Sequence, residues 1–230
     1  MDDERPVYNQ GAEQYHRLVS CEDYQQHILP AINGIQPLTG LDVVELGAGT
    51  GRITRLLAPL ARSIWAFDLS LHMLRKAAEV MNAGGWHNWN LGMADHRWLP
   101  VEPHSADLVI AGWSICYLVV WHPQSWQVEL ERAMAEMRRV LRPGGTILLL
   151  ETLGTGFEAP HAPEKLDPYY TFLEQAGFQM TWLRTDYRFS SASEAEELTR
   201  FFFGDELAQW VAARQTTILP ECTGLWHLRY

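Results

Sequence analysis

Three glycines at alternate positions are the feature of this sequence with the clearest chemical meaning. The segment 45–51 reads Glu-Leu-Gly-Ala-Gly-Thr-Gly, so Gly47, Gly49 and Gly51 directly follow an apolar run. Glycines allow a sharp turn and let a ligand approach the backbone closely. A helical pattern follows, and the start of a helix offers free N–H groups and a positive dipole end. The loop therefore predicts a site for a ligand that carries a carboxylate or a phosphate.

The residue after the third glycine bears on which ligand the loop would hold. In the dinucleotide fingerprint G-x-G-x-x-G, the third small residue permits close packing of helix on strand, and here that position falls on Arg52. A side chain of this size should obstruct the packing, which disfavours NAD-dependent hydride transfer. The sequence also lacks the G-x-x-x-x-G-K-[ST] phosphate loop of nucleotide hydrolases.

Two carboxylates follow the next two apolar runs. Asp68 ends the run Ser-Ile-Trp-Ala-Phe-Asp, and a carboxylate at such a strand end can accept hydrogen bonds from both ribose hydroxyls. Asp95 follows the third run and could accept a hydrogen bond from the exocyclic amine of an adenine. Either residue alone is typical of a turn. Together, and in this order along the chain, they indicate a nucleoside site.

These residues need a scaffold that brings several strand ends together. Short apolar runs alternate with helical patterns, which is typical of an α/β protein; the runs are 41–46, 63–67, 89–93, 107–113 and 145–150. The intervening helices are predicted at 50–60, from Ser70 to about Met81, and at 123–141. We therefore expect a doubly wound parallel sheet whose ligands bind at the carboxyl ends of its strands.

Further elements flank this predicted core. Residues 8–33 read as an N-terminal helical cap, and residues 155–217 as substrate-side lid insertions over the open end of the sheet. Within the latter, Ser193 and Glu196 form a pair typical of a capping box at the start of a helix. Additional helices are predicted at about 164–176, 194–200 and 205–214, and strands within 178–189 and at 224–230.

Composition excludes several classes of protein. The chain has 230 residues and a net charge of −10, so an extended basic surface for DNA or RNA is not expected. Three cysteines without a CxxC pair favour neither a disulfide framework nor a metal site. No secretory signal or membrane-spanning run is visible, and the predicted location is the cytoplasm.

Several segments, taken in order, resemble class I S-adenosylmethionine-dependent methyltransferases of the small-molecule type. They are ELGAGTG, WAFDLS, ADHRWLP (with Ala94 in place of the usual glycine), DLVIAGWSICYL and RVLRPGGTILLLE, and together they cover about residues 40–152. The resemblance implies one methyltransferase domain over residues 1–230, with 40–152 as its cofactor-binding core. It also implies a Rossmann-like seven-stranded sheet of five parallel strands and an antiparallel C-terminal pair, 178–184 and 224–230.

The same resemblance implies a cofactor, S-adenosyl-L-methionine, with S-adenosyl-L-homocysteine as product, and a role for each matching residue. Asp68 would hold the ribose, Leu69 would pack on the adenine, and Glu45 would act near the methionine amine. The full set of implied cofactor-binding residues is Glu45, Gly47, Ala48, Gly49, Gly51, Asp68, Leu69, Met73, Ala94, Asp95, His96, Gly112 and Trp113. For His96 the implied contact is made by the backbone, and for Gly112 and Trp113 it is with the sulfonium end.

Methyl transfer from a sulfonium is an in-line displacement, so positioning of the acceptor supplies much of the rate acceleration. A general base is needed only where the acceptor must lose a proton. The candidates in the sequence are Tyr15, His122 and Glu151, with Tyr8, His16, Tyr117 and His161 as further ones. An aromatic acceptor pocket could be lined by Tyr15, Trp113, Trp182, Tyr187 and the run 201–203.

The predicted function is methyl transfer to an oxygen or nitrogen atom of a small organic molecule. The sequence lacks [DNS]-P-P-[YFW] and a Pro-Cys pair, which disfavours amino-group methylation of nucleobases or glutamine and cytosine-5 chemistry. Two alternatives stay open. One is a protein of this fold that performs other chemistry with the sulfonium, and the other is a scaffold that binds the cofactor without turnover.

Overall fold

A computed structural model describes residues 5–230 of the chain. Its helices are α1 (Arg5–Gln10), α2 (Ala12–Ser20), α3 (Ile28–Ile35), α4 (Arg52–Leu57), α5 (Leu71–Ala83), α6 (Cys116–Trp121), α7 (Trp126–Val140), α8 (Asp167–Gln175), α9 (Ala192–Phe203) and α10 (Asp205–Arg214). Its strands are β1 (Asp42–Leu46), β2 (Ser63–Asp68), β3 (Trp89–Met93), β4 (Ala106–Gly112), β5 (Leu141–Thr155), β6 (Gln179–Arg184), β7 (Tyr187–Arg188), β8 (Ile218–Leu219) and β9 (Glu221–Arg229).

Seven of these strands form one sheet in the order β3-β2-β1-β4-β5-β9-β6. Strands β1 to β5 are parallel to one another, whereas β9 pairs antiparallel with both β5 and β6. The predicted α/β architecture, with its five parallel strands and its antiparallel C-terminal pair, is confirmed. Because β9 is antiparallel to both of its neighbours, it is the strand of this sheet whose direction is opposite to that of the other six.

The central strands are mostly apolar because helices cover both faces of the sheet. Side chains alternate between the two faces, so neighbouring residues of one strand enter different cores. One core contains Val109, Ile147 and Leu149 together with Met134 and Met137 of α7. The opposite core contains Leu108, Ile110, Leu148 and Leu150 together with residues of α3 and α4. The polar and glycine-rich segments are thereby left to the strand ends.

A third apolar cluster joins the N-terminal helices to the segment between β6 and β9. It contains Leu18 of α2, Leu198 of α9, Val211 of α10 and residues of the small β7–β8 sheet. Helix α2 contacts both α9 and α5, while α1 contacts α5. These elements thus cover the carboxyl ends of the parallel strands. Within residues 5–230, no helix combines the length and apolarity needed to cross a bilayer.

The start of α9 differs from the predicted one. Its N-cap is Ser191, whose Oγ accepts a hydrogen bond from the backbone N–H of Glu194 (3.1 Å), and Glu194 in turn accepts one from the backbone N–H of Ser190 (2.9 Å). The predicted pairing of Ser193 with Glu196 is therefore wrong by two residues. Both pairs satisfy the same sequence pattern, and burial of Ala195, Leu198 and Thr199 selects the earlier start.

Candidate functional site

A cavity of about 250 Å³ lies at the carboxyl ends of β1, β2 and β4. Most of the predicted cofactor-binding residues line it: Gly47, Gly49, Asp68, Leu69, Asp95, His96, Gly112 and Trp113. The others, which do not line it, are Glu45, Ala48, Gly51, Met73 and Ala94. The topology accounts for this grouping, because parallel strands deliver their C-terminal loops to one edge of the sheet.

The glycine loop is folded tightly against the loop that follows β4. Gly47 has a φ of +72°, in the left-handed region that favours glycine. A Cβ at this position would lie 2.5 Å from Oγ of Ser114 and 3.4 Å from Cε1 of His96. Ser114 Oγ donates a hydrogen bond to the carbonyl of Leu46 (3.0 Å). The glycine therefore permits a close approach of two loops and leaves its backbone exposed to the cavity.

Asp68 is held in the cavity wall by backbone hydrogen bonds. The N–H of Gly49 donates to Oδ2 (2.8 Å) and the N–H of Ser70 donates to Oδ1 (2.8 Å). Burial raises the pKa of this carboxyl, and the backbone N–H groups of Ser70 and Gly49, with a smaller effect from that of Leu69, oppose the rise. Each carboxylate oxygen accepts one of these bonds and keeps a further lone pair. Asp68 can thus still accept two hydrogen bonds, which fits the paired hydroxyls of a ribose.

Asp95 lies next to a guanidinium that was not part of the predicted site. Arg97 donates to both carboxylate oxygens of Asp95, from Nε at 2.7 Å and from Nη2 at 2.5 Å, and also to Glu129 at 2.7 Å. The hydrogen bonds from Arg97 lower the pKa of Asp95, so the carboxyl is ionised at neutral pH. Arg97 itself lines the cavity. The sequence feature that points to Arg97 is its position two residues after Asp95.

His96 contributes its side chain as well as its backbone to the cavity wall. The side chain is buried, and its Nδ1 has no hydrogen-bond partner within residues 5–230. Burial lowers the pKa of His96 to about 4, so the ring is neutral at neutral pH. A neutral imidazole beside the cavity offers a donor or an acceptor to a ligand. The sequence pattern implied only a backbone contact here.

Glu45 lies beneath the loop and outside the cavity. Its side chain is buried, and Thr54 Oγ1 donates a hydrogen bond to its Oε2 (2.7 Å). Burial raises the pKa of Glu45 to about 8, and the negative charge of nearby Asp68 adds to the rise. Its contact with Thr54 joins the end of β1 to helix α4. Met73 is likewise buried completely, on the inner face of α5.

The candidate bases separate into two groups. Tyr15 and His122 line the cavity, as do Tyr8 and Tyr117, whose hydroxyl oxygens are 2.5 Å apart. Glu151 does not line it. Its carboxyl is buried and accepts hydrogen bonds from Tyr169 Oη (2.9 Å) and from the N–H of Cys116 (3.2 Å).

Two further predicted candidates, His16 and His161, lie outside the cavity. His16 Nδ1 is 3.2 Å from Oγ1 of Thr50, just behind the glycine loop. His161 stacks on Phe157, with ring centroids 4.2 Å apart, beyond the end of β5. Neither side chain lines the cavity.

Trp113 and Arg52 form the boundary between this cavity and a deeper one. Trp113 has a φ of +50°, a conformation that costs energy for a residue with a side chain, and its N–H donates to the carbonyl of Leu150 (2.7 Å). The guanidinium of Arg52 lies 3.5 Å from the centroid of the Trp113 ring and forms an ion pair with Glu22. Arg52, which argued against the dinucleotide fingerprint, therefore packs on the residue after β4.

The deeper space, here called the inner cavity, has a volume of about 50 Å³. It shares Tyr8, Tyr15, Trp113 and Tyr117 with the larger cavity. Its remaining lining residues are Leu18, Val19, Arg52, Cys116, Thr152, Thr155, Tyr187, Phe202, Phe203 and Glu221. Most of the aromatic residues predicted for an acceptor pocket are thus brought together. Two of the predicted residues are not among them. Trp182 lies half exposed on the edge strand β6, and Phe201 lies on another surface, beside Glu197 and Arg200.

Comparison with known proteins agrees with this architecture. Residues 44–149 match the family model of a methyltransferase domain. The chain is 33% identical over 144 residues to a malonyl-[acyl-carrier protein] O-methyltransferase of Salmonella typhimurium, an alignment covering 61% of this chain and 50% of that protein. It is 28% identical over 156 residues to a ubiquinone/menaquinone biosynthesis C-methyltransferase of Bordetella avium, covering 62% and 57%. The chain spans about half the length of these curated relatives.

Among solved structures, a SAM-dependent methyltransferase from Aquifex aeolicus superimposes with a TM-score of 0.55 at 15% identity, over 86% of this chain and 88% of that one. At this identity the likeness shows the fold. The fold is that of the class I S-adenosylmethionine-dependent methyltransferases, as the ordered motifs predicted. Residues 44–149 therefore match a methyltransferase domain, within a chain that has the fold of this class.

Proposed function

We propose that this protein transfers a methyl group from S-adenosylmethionine to an oxygen or nitrogen atom of a small organic molecule. The arrangement of the two cavities supports the proposal. The larger one carries the glycine loop and Asp68, which suit a nucleoside, and the inner one is lined by aromatic rings. Their shared residues would place donor and acceptor next to each other, as a displacement requires.

In this proposal the larger cavity holds the donor. Asp68 would accept hydrogen bonds from the two ribose hydroxyls, and Leu69 would pack against the adenine. Asp95 and His96 would face the adenine edge, while the backbone of the glycine loop would lie along the methionine moiety. When bound, the donor supplies a methyl group already activated by its sulfonium. The residues of the chain then have to orient the acceptor and exclude water.

Few groups are positioned to remove a proton from an acceptor. Tyr15 and His122 line the larger cavity and are the candidates that we retain. For Glu151 we propose a structural role, because its carboxyl holds Tyr169 and the start of α6 behind the cavity. The named relatives methylate oxygen in one case and carbon in the other. Membership of the class therefore leaves the acceptor atom to be measured.

Binding of the donor tests the first half of the proposal. We expect isothermal titration calorimetry to show that S-adenosylmethionine and S-adenosylhomocysteine bind the purified chain, and that both raise its melting temperature, because a ligand of the native state stabilises it. Asp68→Ala should weaken binding severely while the circular dichroism spectrum is unchanged. Glu79→Ala, which removes an exposed carboxylate of α5, is the matched control and should bind normally.

Turnover tests the second half. With a methyl-labelled donor and a panel of small alcohols, phenols, carboxylic acids and amines, we expect label to enter an oxygen or nitrogen compound. Tight binding without label in any product would favour a scaffold or another sulfonium chemistry. An absence of binding at millimolar donor would remove both halves of the proposal.

A further inference from the structure

The inner cavity contains one acidic side chain that the proposed donor site does not use. Glu221, the first residue of β9, lines this cavity and is 2% exposed. Its Oε1 accepts a hydrogen bond from Thr152 Oγ1 (2.7 Å). Its Oε2 is buried and is not engaged by a hydrogen bond of normal geometry in the described part of the chain, although the nearby Thr155 hydroxyl lowers the pKa of the carboxyl. A buried polar atom without a partner costs free energy, and a ligand that bonds to it removes that cost.

The charges around Glu221 are otherwise balanced in pairs. Arg52 is held by Glu22 and stacks on Trp113, so its positive charge already has a partner. Arg184 donates to both oxygens of Asp186, each at 2.7 Å. Within the described residues, Glu221 is therefore the acidic residue of this group that is left without a basic partner of its own. A ligand group that enters the inner cavity next to it is favoured when it donates hydrogen bonds or carries a positive charge.

The rings that line the inner cavity favour the same kind of ligand. Tyr8, Tyr15 and Tyr117 pack edge to face, with ring centroids of Tyr8 and Tyr15 5.6 Å apart and of Tyr8 and Tyr117 5.5 Å apart. Phe202 closes the same wall, 5.6 Å from Tyr15. Aromatic faces attract cations and provide no competing hydrogen-bond acceptor of comparable strength. Aromatic rings around a lone carboxyl suit an alkylammonium group.

Volume limits what can enter. At about 50 Å³ the inner cavity accommodates an amino group and one or two carbon atoms, and it is too small for an aromatic ring. The rest of an acceptor would extend past Trp113 and Tyr117 into the larger cavity. The acceptor nitrogen would lie in the inner cavity, next to the residues that this cavity shares with the proposed donor site.

We propose that Glu221 is the residue that binds the methyl acceptor and that the acceptor is a primary or secondary aliphatic amine. This inference rests on the proposed methyl transfer, which it narrows from oxygen or nitrogen to nitrogen. Glu221 holds the amino group through Oε2, and Thr152 fixes the carboxyl through Oε1. Burial raises the pKa of Glu221 to about 7, so the carboxyl can also hold a proton given up by the amine.

The test uses the protein saturated with S-adenosylhomocysteine and three probes of one shape: n-propylamine, 1-propanol and propionate. Ligand-observed NMR titration should show that the wild type binds n-propylamine at least tenfold more tightly than the other two. Glu221→Gln keeps an acceptor for Thr152 and should weaken amine binding at least tenfold. Glu136→Gln is the matched control: it alters a partly buried carboxyl of α7 that pairs with Arg139 and lines neither cavity, and it should leave amine binding unchanged.

The outcomes separate this inference from the proposed function. Preferential binding of 1-propanol or propionate, unchanged amine affinity in Glu221→Gln, or no binding of any probe would overturn the amine assignment. In each of these cases S-adenosylhomocysteine affinity, measured by calorimetry in the same samples, would stay at its wild-type value. If the wild-type protein does not bind S-adenosylhomocysteine, the proposed methyl transfer itself is contradicted.

Discussion

Replacing Gly47 with alanine tests how tightly the glycine loop is packed. At a φ of +72° a residue with a Cβ costs about 1–2 kcal/mol. The new Cβ would also lie 2.5 Å from Ser114 Oγ, and overpacking of this kind costs about 1–3 kcal/mol. Alanine also lowers the conformational entropy of the unfolded chain, and this offsets about 0.4–1 kcal/mol of the destabilisation. We therefore expect Gly47→Ala to lower the free energy of unfolding by about 1–5 kcal/mol, centred on about 3 kcal/mol, as the sum of these effects.

Gly40 offers a matched control for the backbone part of this cost. Its φ is +78°, and a Cβ there would meet no atom within 4 Å. Gly40→Ala should cost only about 1 kcal/mol, since strain alone opposes it. Urea unfolding followed by circular dichroism measures both variants, and equal slopes would show that the unfolded states are comparable.

A double-mutant cycle isolates the clash. Ser114→Gly removes the side chain that the new Cβ would meet, although it also removes the hydrogen bond to Leu46. In the background of Ser114→Gly, the effect of Gly47→Ala should therefore shrink to that of Gly40→Ala. The packing inferred for the loop is wrong if Gly47→Ala destabilises the protein no more than Gly40→Ala does. It is also wrong if the effects of Gly47→Ala and Ser114→Gly on the free energy of unfolding are additive.

Three further predictions concern charges and caps. Burial raises the pKa of Glu151 to about 7 from an ordinary 4.5, so the native state binds its proton more tightly and stability should fall as pH rises from 5 to 8. Glu151→Gln should make this dependence less steep in urea titrations at several pH values and leave the part that comes from Glu45 and Glu221; an unchanged slope would contradict the assignment. Arg97→Met should leave Asp95 without its bidentate partner and weaken S-adenosylhomocysteine binding severalfold by calorimetry, whereas equal affinity would show that Arg97 does not position it. Ser191→Ala should cost about 1 kcal/mol in thermal or urea unfolding, and Ser193→Ala clearly less; the reverse order would restore the predicted cap.

The parallel core was predictable because its signals are local. Apolar runs such as 107–113 are continuous only where helices cover both faces of a sheet, and the glycine loop has to follow the first of them. Asp68 and Asp95 could be placed for the same reason, since Asp68 is the last residue of β2 and Asp95 lies two residues beyond the end of β3. A residue at a strand end is fixed in space once the sheet is known.

The remaining features depend on contacts that are distant in sequence. Glu151 directly follows the apolar run at 145–150, a position that makes it a candidate base, but Tyr169 and the backbone of Cys116 enclose its carboxyl. Trp182 lies at the exposed edge because β9 inserts between β5 and β6, an order that no local pattern reveals. Glu221 was missed since only that insertion brings the start of β9 beside Thr152 and the inner cavity.

A crystal structure of the chain with S-adenosylhomocysteine is the most direct measurement of the central proposal, which is that Asp68 and the glycine loop hold an adenosyl group. We predict density for the ligand in the larger cavity, with both ribose hydroxyls donating to the Asp68 carboxylate and the adenine beside Asp95 and His96. Ligand bound elsewhere, or a larger cavity that stays empty at saturating concentration, would contradict the donor site proposed here.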